Sequence, residues 1–319
     1  MKGEDLQPVV KVGVVGTGMV GSTFAYSLMS SGLASEIILV DVNRKRAEGE
    51  VMDLDHAMPF AKPARIWAGD YSDFQGARIV VITAGIAQKP GETRLDLVNK
   101  NTAIFRDIIQ KVAEYAGESI ILVATNPVDI MTYAALKLSG FPSQRVIGSG
   151  TILDTARLRF LLGQYFKVDP RSVHSYIIGE HGDLEVPAWS LTHIAGARLT
   201  EYCACIGREY RQPELDALFI EARDAAYQII ERKGATYWAI GAGLVRIVES
   251  IVRDENSILA VSSLMDGEYG VQDVCLSLPS VVNTSGVDRV LDLPISPGEK
   301  EGFIKSADVL KKLAKDAGL

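Results

Sequence analysis

Residues 9–41 read VVKVGVVGTGMVGSTFAYSLMSSGLASEIILVD, and this stretch decides the fold. Val9–Val15 is a valine-rich run of the length of one buried strand. The pattern then becomes helical over Met19–Ser31, with Gly32 as the stop signal. Glu36–Val40 is a second apolar run of strand length. Strand, glycine-rich turn, helix and strand in immediate succession predict one unit of a parallel sheet with helices packed on its faces.

The turn in this unit contains Gly16, Gly18 and Gly21. In such turns the first glycine permits a tight bend, the second lets a diphosphate approach the backbone, and the third allows close helix–strand packing. Free N–H groups at the helix start favour an anion. Asp41 ends the second strand, where a carboxylate can bind both hydroxyls of an adenine ribose and repel a 2′-phosphate. The unit therefore predicts NAD binding, while a sugar-nucleotide enzyme, or a glycine turn that binds nothing, stays open.

Composition limits the class of protein. The chain has 319 residues, of which 47% are hydrophobic and 23% charged, and its formal net charge is −7. These values predict a folded, soluble protein of about two domains. Because no run is rich in lysine or arginine, neither nucleic acid nor an anionic membrane is an expected partner. The first residues lack the apolar core of a signal peptide, and no apolar run reaches membrane-spanning length, so we expect a cytoplasmic protein.

The chain has three cysteines, too few for a disulfide framework. Cys203 and Cys205 are close in sequence, but no second pair of ligands accompanies them. No metal is therefore expected.

Further apolar runs continue the alternation of strands and helices. Ala77–Thr83, Ser119–Ala124 and Val146–Gly148 read as strands, with helical patterns between them. The alternation predicts an α/β fold, with a Rossmann doubly wound parallel sheet in residues 1–148. A mixed α+β catalytic domain is expected in residues 149–319. Ligands of such sheets gather at the carboxyl ends of the strands.

The loop that follows the predicted strand Ala77–Thr83 comprises residues 84–94 and reads AGIAQKPGETR. Gly85, Pro90 and Gly91 suit a segment that hinges. It lies at the sheet edge where a ligand is expected, and it ends at Arg94.

Two arginines on one predicted helix are expected to point in opposite directions. Asp154 and Arg157 are three residues apart and share a helix face. Arg159 lies two residues beyond Arg157, roughly 200° around the axis at about 3.6 residues per turn. If Arg157 serves an active site, Arg159 must therefore serve something else.

The histidines differ in their surroundings. His181 stands between glycines in a loop after the predicted strand Val173–Ile178, and it is sterically open, which favours a functional role. His174 lies at the start of that strand and His193 lies in a turn-like stretch. Judged by these surroundings alone, an incidental role is favoured for both.

Together, the motifs resemble those of the NAD-dependent L-lactate dehydrogenase family, within the lactate/malate dehydrogenase superfamily. They are VGVVGTGMVG, VDVN, TAGIAQKPGETR, ATNPVD, GSGTILDTARLRF, IIGEHGD and KGATYWAIG, between residues 12 and 241. No single motif is specific, but jointly they are. The resemblance implies reversible hydride transfer between NADH and pyruvate, which gives L-lactate and NAD⁺.

The resemblance also implies catalytic roles. His181 would donate the proton to the ketone, and Asp154 would orient its ring and stabilise the imidazolium. Arg157 would hold the substrate carboxylate in a two-point fork. Arg94 would polarise the carbonyl as charge builds on its oxygen.

The remaining matched positions surround the substrate and the cofactor. Asn126 would contact both, and Thr236 would line the pocket near the methyl group of pyruvate. The positions that match cofactor-binding residues are Gly16, Gly18, Val20, Gly21, Asp41, Arg46, Tyr71, Gly85, Ile86, Asn126 and Ser149.

Gln88 predicts the substrate class. In the similar malate dehydrogenases this loop position is an arginine, which pairs with the second carboxylate of oxaloacetate. Neutral Gln88 would leave that carboxylate without a partner in a dry site, at a cost of several kcal/mol. Pyruvate is therefore preferred, and a malate or broader 2-hydroxyacid dehydrogenase is the alternative. A module that binds NAD without turnover is a rival from another class, but the joint presence of the four catalytic candidates argues against it.

Arg159 and His174 match positions that bind fructose 1,6-bisphosphate at a two-fold subunit interface in bacterial members of the family. The resemblance therefore implies allosteric activation and favours a role for His174; a surface arginine and an incidental histidine are the alternative. A homotetramer is expected. Because only about ten residues precede the first strand, leaving no room for the long N-terminal arm of animal lactate dehydrogenases, a dimer–tetramer equilibrium remains open.

Overall fold

The computed structural model describes residues 9–87, 91 and 93–319. Strands and helices alternate through the first half of the chain. The elements are β1 (Lys11–Val15), α1 (Met19–Ser31), β2 (Glu36–Val40), α2 (Arg44–Ala57), β3 (Arg65–Ala68), β4 (Ile79–Ile82), α3 (Arg94–Tyr115), β5 (Ile120–Val123), α4 (Val128–Ser139) and β6 (Val146–Gly148).

The second half combines helices with mostly short strands. They are α5 (Ile152–Phe166), β7 (Val173–His174), β8 (Ile177–Ile178), β9 (Val186–Pro187), β10 (His193–Ile194), β11 (Ala197–Arg198), α6 (Leu199–Cys205), α7 (Gln212–Lys233), α8 (Trp238–Val252), β12 (Ser257–Asp266), β13 (Gln272–Asn283), β14 (Gly286–Val290) and α9 (Pro297–Asp316).

One sheet runs through both halves, in the order β14-β13-β12-β6-β5-β4-β1-β2-β3. The six strands of the first half pair in parallel. The strand order reverses between β1 and β4, which creates a crevice at the carboxyl ends of these strands. The predicted α/β fold with a Rossmann-like parallel sheet is therefore confirmed.

The antiparallel strands β12, β13 and β14 extend this parallel sheet, which the sequence did not predict. The junction is the pairing of Ser262 on β12 with Gly148 on β6. Gly148 has no room for a side chain, since a Cβ would lie 2.2 Å from Thr132 Oγ1 and 2.9 Å from Ser262 Cβ. Close packing at this glycine lets a strand from the second half complete the sheet.

The sheet is buried on both faces, as expected for parallel strands covered by helices. Val14 and Ile79 belong to a core cluster that also contains residues of α1 and α8. Val15 and Val80 face the other way, into a cluster with α3 and α4. All four residues of β4 are buried. The helices therefore cover both faces of the sheet, and its carboxyl edge is left to carry the site.

The prediction of a single strand over Val173–Ile178 is wrong. The segment divides into β7, which pairs with β10, and β8, which pairs with β9 in another sheet. Between them, the buried Ser175 hydroxyl lies 2.9 Å from Thr192 Oγ1. The apolar pattern shows that the segment is buried, but the chain changes partners too often for one continuous strand.

Within the part of the chain that the structure describes, no helix has both the length and the apolar character that a membrane span requires. Cys203 and Cys205 lie on α6 and Cys275 lies on β13, each as a free thiol.

Candidate active site

The glycine turn after β1 has the steric properties that its sequence predicts. Gly16 has φ +94°, and a Cβ there would lie 2.6 Å from the Ala84 backbone nitrogen. A Cβ at Gly21 would lie 2.0 Å from the Gly16 carbonyl oxygen. At Gly18, by contrast, no atom of the described residues lies within 4 Å of an added Cβ. The turn is therefore tight on two sides and open at the N-terminus of α1, and this opening fits the diphosphate of a dinucleotide.

Asp41 follows β2 and is held against this turn. Its Oδ2 accepts hydrogen bonds from Thr17 N (2.7 Å) and Thr17 Oγ1 (3.0 Å), and its Oδ1 accepts one from Asn43 N (2.8 Å). Burial acts to raise the pKa of Asp41, but these hydrogen bonds and Arg46 outweigh it and lower the pKa below 3.8. The carboxylate is therefore ionised at neutral pH, as ribose-hydroxyl binding and rejection of a 2′-phosphate require.

The loops after β4 and β5 are tied together at the carboxyl edge of the sheet. Asn101 on α3 accepts a hydrogen bond from Ile86 N (2.9 Å) and donates one to the Asn126 carbonyl (2.9 Å). Gly85 must be small, since a Cβ would lie 2.4 Å from Thr125 Cγ2. Sequence reasoning did not single out Asn101, because a buried asparagine on a helix has no local signal.

The other residues predicted to line the cofactor lie around this edge. Val20 and Arg46 occupy the first turns of α1 and α2. Tyr71 is half-buried near Asp41, and burial, with the charges of Asp107 and Asp41, raises its pKa to about 12. Ser149 is buried directly after β6.

Asp154 on α5 connects two of the predicted catalytic residues. Its side chain is 2% exposed. Oδ2 lies 2.6 Å from His181 Nδ1, and Oδ1 accepts a hydrogen bond from Arg157 Nη1 at 2.8 Å. Asp154 and Arg157 share a helix face, as their spacing predicts. One buried carboxylate thus fixes an imidazole and a guanidinium in a single pocket.

The charges in this pocket stabilise one another. Burial alone would lower the pKa of His181, but the charge and hydrogen bond of Asp154 outweigh it and raise the pKa to about 9. Burial would raise the pKa of Asp154, yet His181 and Arg157 keep it below 3.8. At neutral pH the pair is therefore imidazolium and carboxylate, and His181 has a proton to give.

Three hydrogen bonds from the backbone of the His181 loop anchor it. Gly179 N donates to the Ser277 carbonyl (2.8 Å), and Glu180 N donates to Ser306 Oγ (2.7 Å). His181 N donates to Asp129 Oδ2 at 2.8 Å. The loop is therefore held from β13, α9 and α4 at once, and the imidazole position does not depend on the loop alone.

Asp129 is a site residue that sequence reasoning missed. It is 2% exposed in the first turn of α4, and its second oxygen accepts a hydrogen bond from Ser262 Oγ at 2.6 Å. Burial raises the pKa of Asp129, although the hydrogen bonds from Ser262 and His181 N oppose this. The available signal is an acidic residue two positions after Pro127, in the first turn of α4, and it is easily taken for a favourable helix-dipole charge.

Arg94 is the first residue of α3. The helix begins with a capping box in which Asp96 N donates to Thr93 Oγ1 (3.1 Å) and Thr93 N donates to Asp96 Oδ2 (3.0 Å). The Arg94 guanidinium forms an ion pair with Glu180, a fully buried residue that sequence reasoning also missed. Arg94 is thereby placed beside the residue that precedes His181.

Two predicted substrate residues, Thr236 and Gln88, take no part in the contacts described above. Thr236 is half-buried in the segment between α7 and α8. Gln88 lies outside the described residues, as does Pro90 of the predicted hinge.

Arg159 and His174 lie away from the acid–base pair. Arg159 Nη2 donates to the Arg171 carbonyl at 3.4 Å, so this arginine and Arg157 point to different sides of α5, as predicted. His174 is exposed on β7 and pairs in register with His193 on β10. Burial lowers the pKa of Arg159. Arg159 thus contacts the segment that leads into β7, the strand that carries His174.

Comparisons with known proteins agree with this geometry. Residues 10–148 match the family described as "lactate/malate dehydrogenase, NAD binding domain", and residues 151–318 match "lactate/malate dehydrogenase, alpha/beta C-terminal domain". The chain is 54% identical over 307 residues to the L-lactate dehydrogenase of Acetivibrio thermocellus, covering 96% of this chain and 97% of that one. It is 51% identical over 302 residues to L-lactate dehydrogenase 1 of Clostridium acetobutylicum, covering 95% and 96%.

Among solved structures, the minor L-lactate dehydrogenase from Enterococcus mundtii, in its ligands-bound form, is similar with a TM-score of 0.94 and 44% identity. The match covers 97% of this chain and 98% of that one. The chain therefore belongs to the lactate/malate dehydrogenase family and is an NAD-dependent oxidoreductase.

Proposed function

We propose that the chain is an L-lactate dehydrogenase, which reversibly reduces pyruvate to L-lactate with NADH in the cytoplasm. The observation that carries the proposal is the double role of Asp154, whose two oxygens hold His181 at 2.6 Å and Arg157 at 2.8 Å. A proton donor and a two-point carboxylate anchor in one pocket suit a 2-keto acid. The names of the curated relatives support the same choice.

In this proposal Arg157 binds the substrate carboxylate with its planar fork. Because Nδ1 of His181 is held by Asp154, Nε2 is the nitrogen that protonates the ketone oxygen. Arg94 turns from Glu180 to the carbonyl oxygen and stabilises the negative charge that develops there. Asn126 contacts the substrate and Thr236 borders its methyl group.

Bound NADH supplies the hydride. Residues 1–148 form the dinucleotide-binding domain and residues 149–319 the catalytic domain. The residues that would hold the cofactor are Gly16, Gly18, Val20, Gly21, Asp41, Arg46, Tyr71, Gly85, Ile86, Asn126 and Ser149. The opening at Gly18 and the ionised Asp41 support this assignment.

The choice of pyruvate over oxaloacetate rests on the neutral side chain of Gln88. A malate or broader 2-hydroxyacid dehydrogenase remains the second candidate. Initial rates of NADH oxidation with pyruvate and with oxaloacetate test the assignment, and a preference for oxaloacetate would overturn it. The Gln88→Arg variant should raise the oxaloacetate rate relative to the pyruvate rate. An unchanged ratio would remove Gln88 from the explanation.

We also propose that fructose 1,6-bisphosphate activates a homotetramer through Arg159 and His174. The orientation of Arg159 away from Arg157 and the exposure of His174 support this role. The bisphosphate should lower the apparent KM for pyruvate, and Arg159→Ala should abolish the effect without reducing maximal turnover. Arg253→Ala, at an exposed arginine of the C-cap of α8, is the matched control. Light scattering with and without the bisphosphate distinguishes a constant tetramer from a dimer–tetramer equilibrium.

A further inference from the structure

Glu185 lies beside the His181–Asp154 pair, and the proposed mechanism does not use it. One carboxylate oxygen of Glu185, one of Asp154 and a ring nitrogen of His181 all lie within 4.8 Å of one another. Glu185 is 7% exposed. Its Oε1 is buried and has no hydrogen-bond partner among the residues that the structure describes. A carboxyl group in this position affects the acid–base pair through its charge.

The cations around Glu185 are engaged elsewhere. The charged groups that face it are Asp154 and Arg157 from α5, His181 from the same loop and Arg223 from α7. Arg157 is hydrogen-bonded to Asp154 at 2.8 Å, and Arg223 to Asp224 at 2.8 Å. An ionised Glu185 would thus add a second buried negative charge beside Asp154 without a close cation of its own, and such an arrangement is costly.

Glu185 is accordingly a neutral acid at neutral pH. Burial, followed by the charge of Asp154, raises the pKa of Glu185 to about 9. The pKa of His181 reaches about 9 as well, through Asp154. Two titratable groups that lie this close do not titrate independently: once one has lost its proton, the other holds its proton more tightly.

We propose that Glu185 joins His181 and Asp154 in a three-member acid–base cluster, in which the Glu185 carboxyl gives up its proton in place of His181 as the pH rises. The O–H bond of Glu185 breaks, the proton passes to water, and the carboxylate left behind stabilises the neighbouring imidazolium. His181 therefore stays protonated, and able to donate, to a higher pH than it would beside a permanently neutral group. Glu185 acts through His181 and is a positioning residue.

The kinetic test compares the wild-type enzyme with Glu185→Gln, which keeps the shape of the side chain and cannot ionise. In pyruvate reduction, the alkaline limb of kcat/KM should move to lower pH by about one unit in the variant. Below neutral pH, kcat/KM should match the wild type within about twofold. Glu221→Gln, at an exposed glutamate of α7, is the matched control and should leave the whole profile unchanged.

Because this inference rests on the proposed role of His181 as proton donor, a second readout is independent of turnover. In the infrared difference spectrum of wild type minus Glu185→Gln, which cancels other carboxyl groups such as Asp129, the band of a protonated carboxyl group should be present at neutral pH and should disappear above the pKa of about 9. The ¹⁵N resonances of His181 should report a lower pKa in Glu185→Gln. If no 2-keto acid is reduced, the proposed function fails, while these spectra still test the cluster.

Two results would overturn the inference. One is an alkaline limb and a His181 pKa that are the same in the wild type and in Glu185→Gln. The other is the absence of the carboxyl band at neutral pH together with a tenfold or greater loss of kcat/KM below neutral pH in Glu185→Gln. That combination would mean that Glu185 is already an anion that His181 requires. If Glu185→Gln does not fold, Glu185→Met and the wild-type infrared titration answer the same question.

Discussion

Replacing Asp154 by asparagine should lower the pKa of His181 from about 9 toward its ordinary value of 6.5. The physical reason is the balance in the pocket, where burial lowers the pKa and Asp154 supplies the largest opposing effects. At about 1.36 kcal/mol per pKa unit, the wild-type elevation corresponds to roughly 3 kcal/mol of differential stabilisation of the imidazolium. Asparagine fits the same space, so this loss arises from charge rather than from a cavity.

The expected consequence for activity follows from the protonated fraction of His181. Slightly above neutral pH the wild-type imidazole is almost fully protonated, whereas the variant should be mostly neutral, which lowers kcat/KM for pyruvate by at least about tenfold. The assay is the pH dependence of kcat/KM, followed by NADH absorbance. Asp308→Asn, at an exposed carboxylate of α9, serves as the control for the same chemical change.

The position of the alkaline limb decides the outcome. If Asp154→Asn lowers activity equally at all pH values and leaves the limb at the wild-type pH, Asp154 acts by geometry alone. The electrostatic account given for this pocket would then be refuted.

Three further predictions concern the glycine turn and two other residues of the pocket. Gly21→Ala should lower the free energy of unfolding by about 1–3 kcal/mol in chemical denaturation, because its Cβ would lie 2.0 Å from the Gly16 carbonyl oxygen. Gly49→Ala in α2 is the control, because none of the residues that the structure describes comes within 4 Å of the added Cβ; it should be neutral or stabilising, and equal losses would contradict the packing argument. Arg157→Lys should raise KM for pyruvate by at least about tenfold, since a lysine is a point charge without the two-point fork; an unchanged KM would place the substrate carboxylate elsewhere. The pKa of Glu185 in the folded chain is about 9, above the ordinary 4.5, so the stability that its proton provides is lost as the pH rises between these values. Relative to the wild type, Glu185→Gln should therefore gain free energy of unfolding with rising pH, by at most about 1.4 kcal/mol per unit, and a difference that is flat with pH would contradict a protonated Glu185.

Local geometry explains what the sequence could predict. The glycine spacing and the valine run before it determine β1, the turn and α1, because each depends only on neighbouring residues. The relation of Asp154 to Arg157 likewise follows from helical periodicity, and their hydrogen bond at 2.8 Å agrees with it. Predictions that depend only on the residue spacing within a single helix or turn therefore agree with the structure.

Contacts between distant segments explain what the sequence could not predict. Asp129 accepts a hydrogen bond from His181 N, although the two residues are 52 positions apart in the sequence. The residues next to Asp129 in the sequence do not indicate this partner. Glu180 and Glu185 flank His181 in a loop of ordinary polar composition, and only folding shows that both are buried. The division of Val173–Ile178 into two strands depends on the neighbours β9 and β10, which follow later in the chain.

The continuous sheet has a consequence for how the two halves of the molecule respond to a ligand. Leu244 and Ile247 from α8 and Val261 from β12 lie in the same core cluster as Val12 and Val14 from β1. Neither half can lose its structure without uncovering the apolar side chains of the other, so the two should unfold in a single transition. A ligand that binds only at the glycine turn would then raise the melting temperature of the acid–base pocket as well. For the same reason, a destabilising substitution on either side of the Gly148–Ser262 junction should lower the melting temperature of the whole chain.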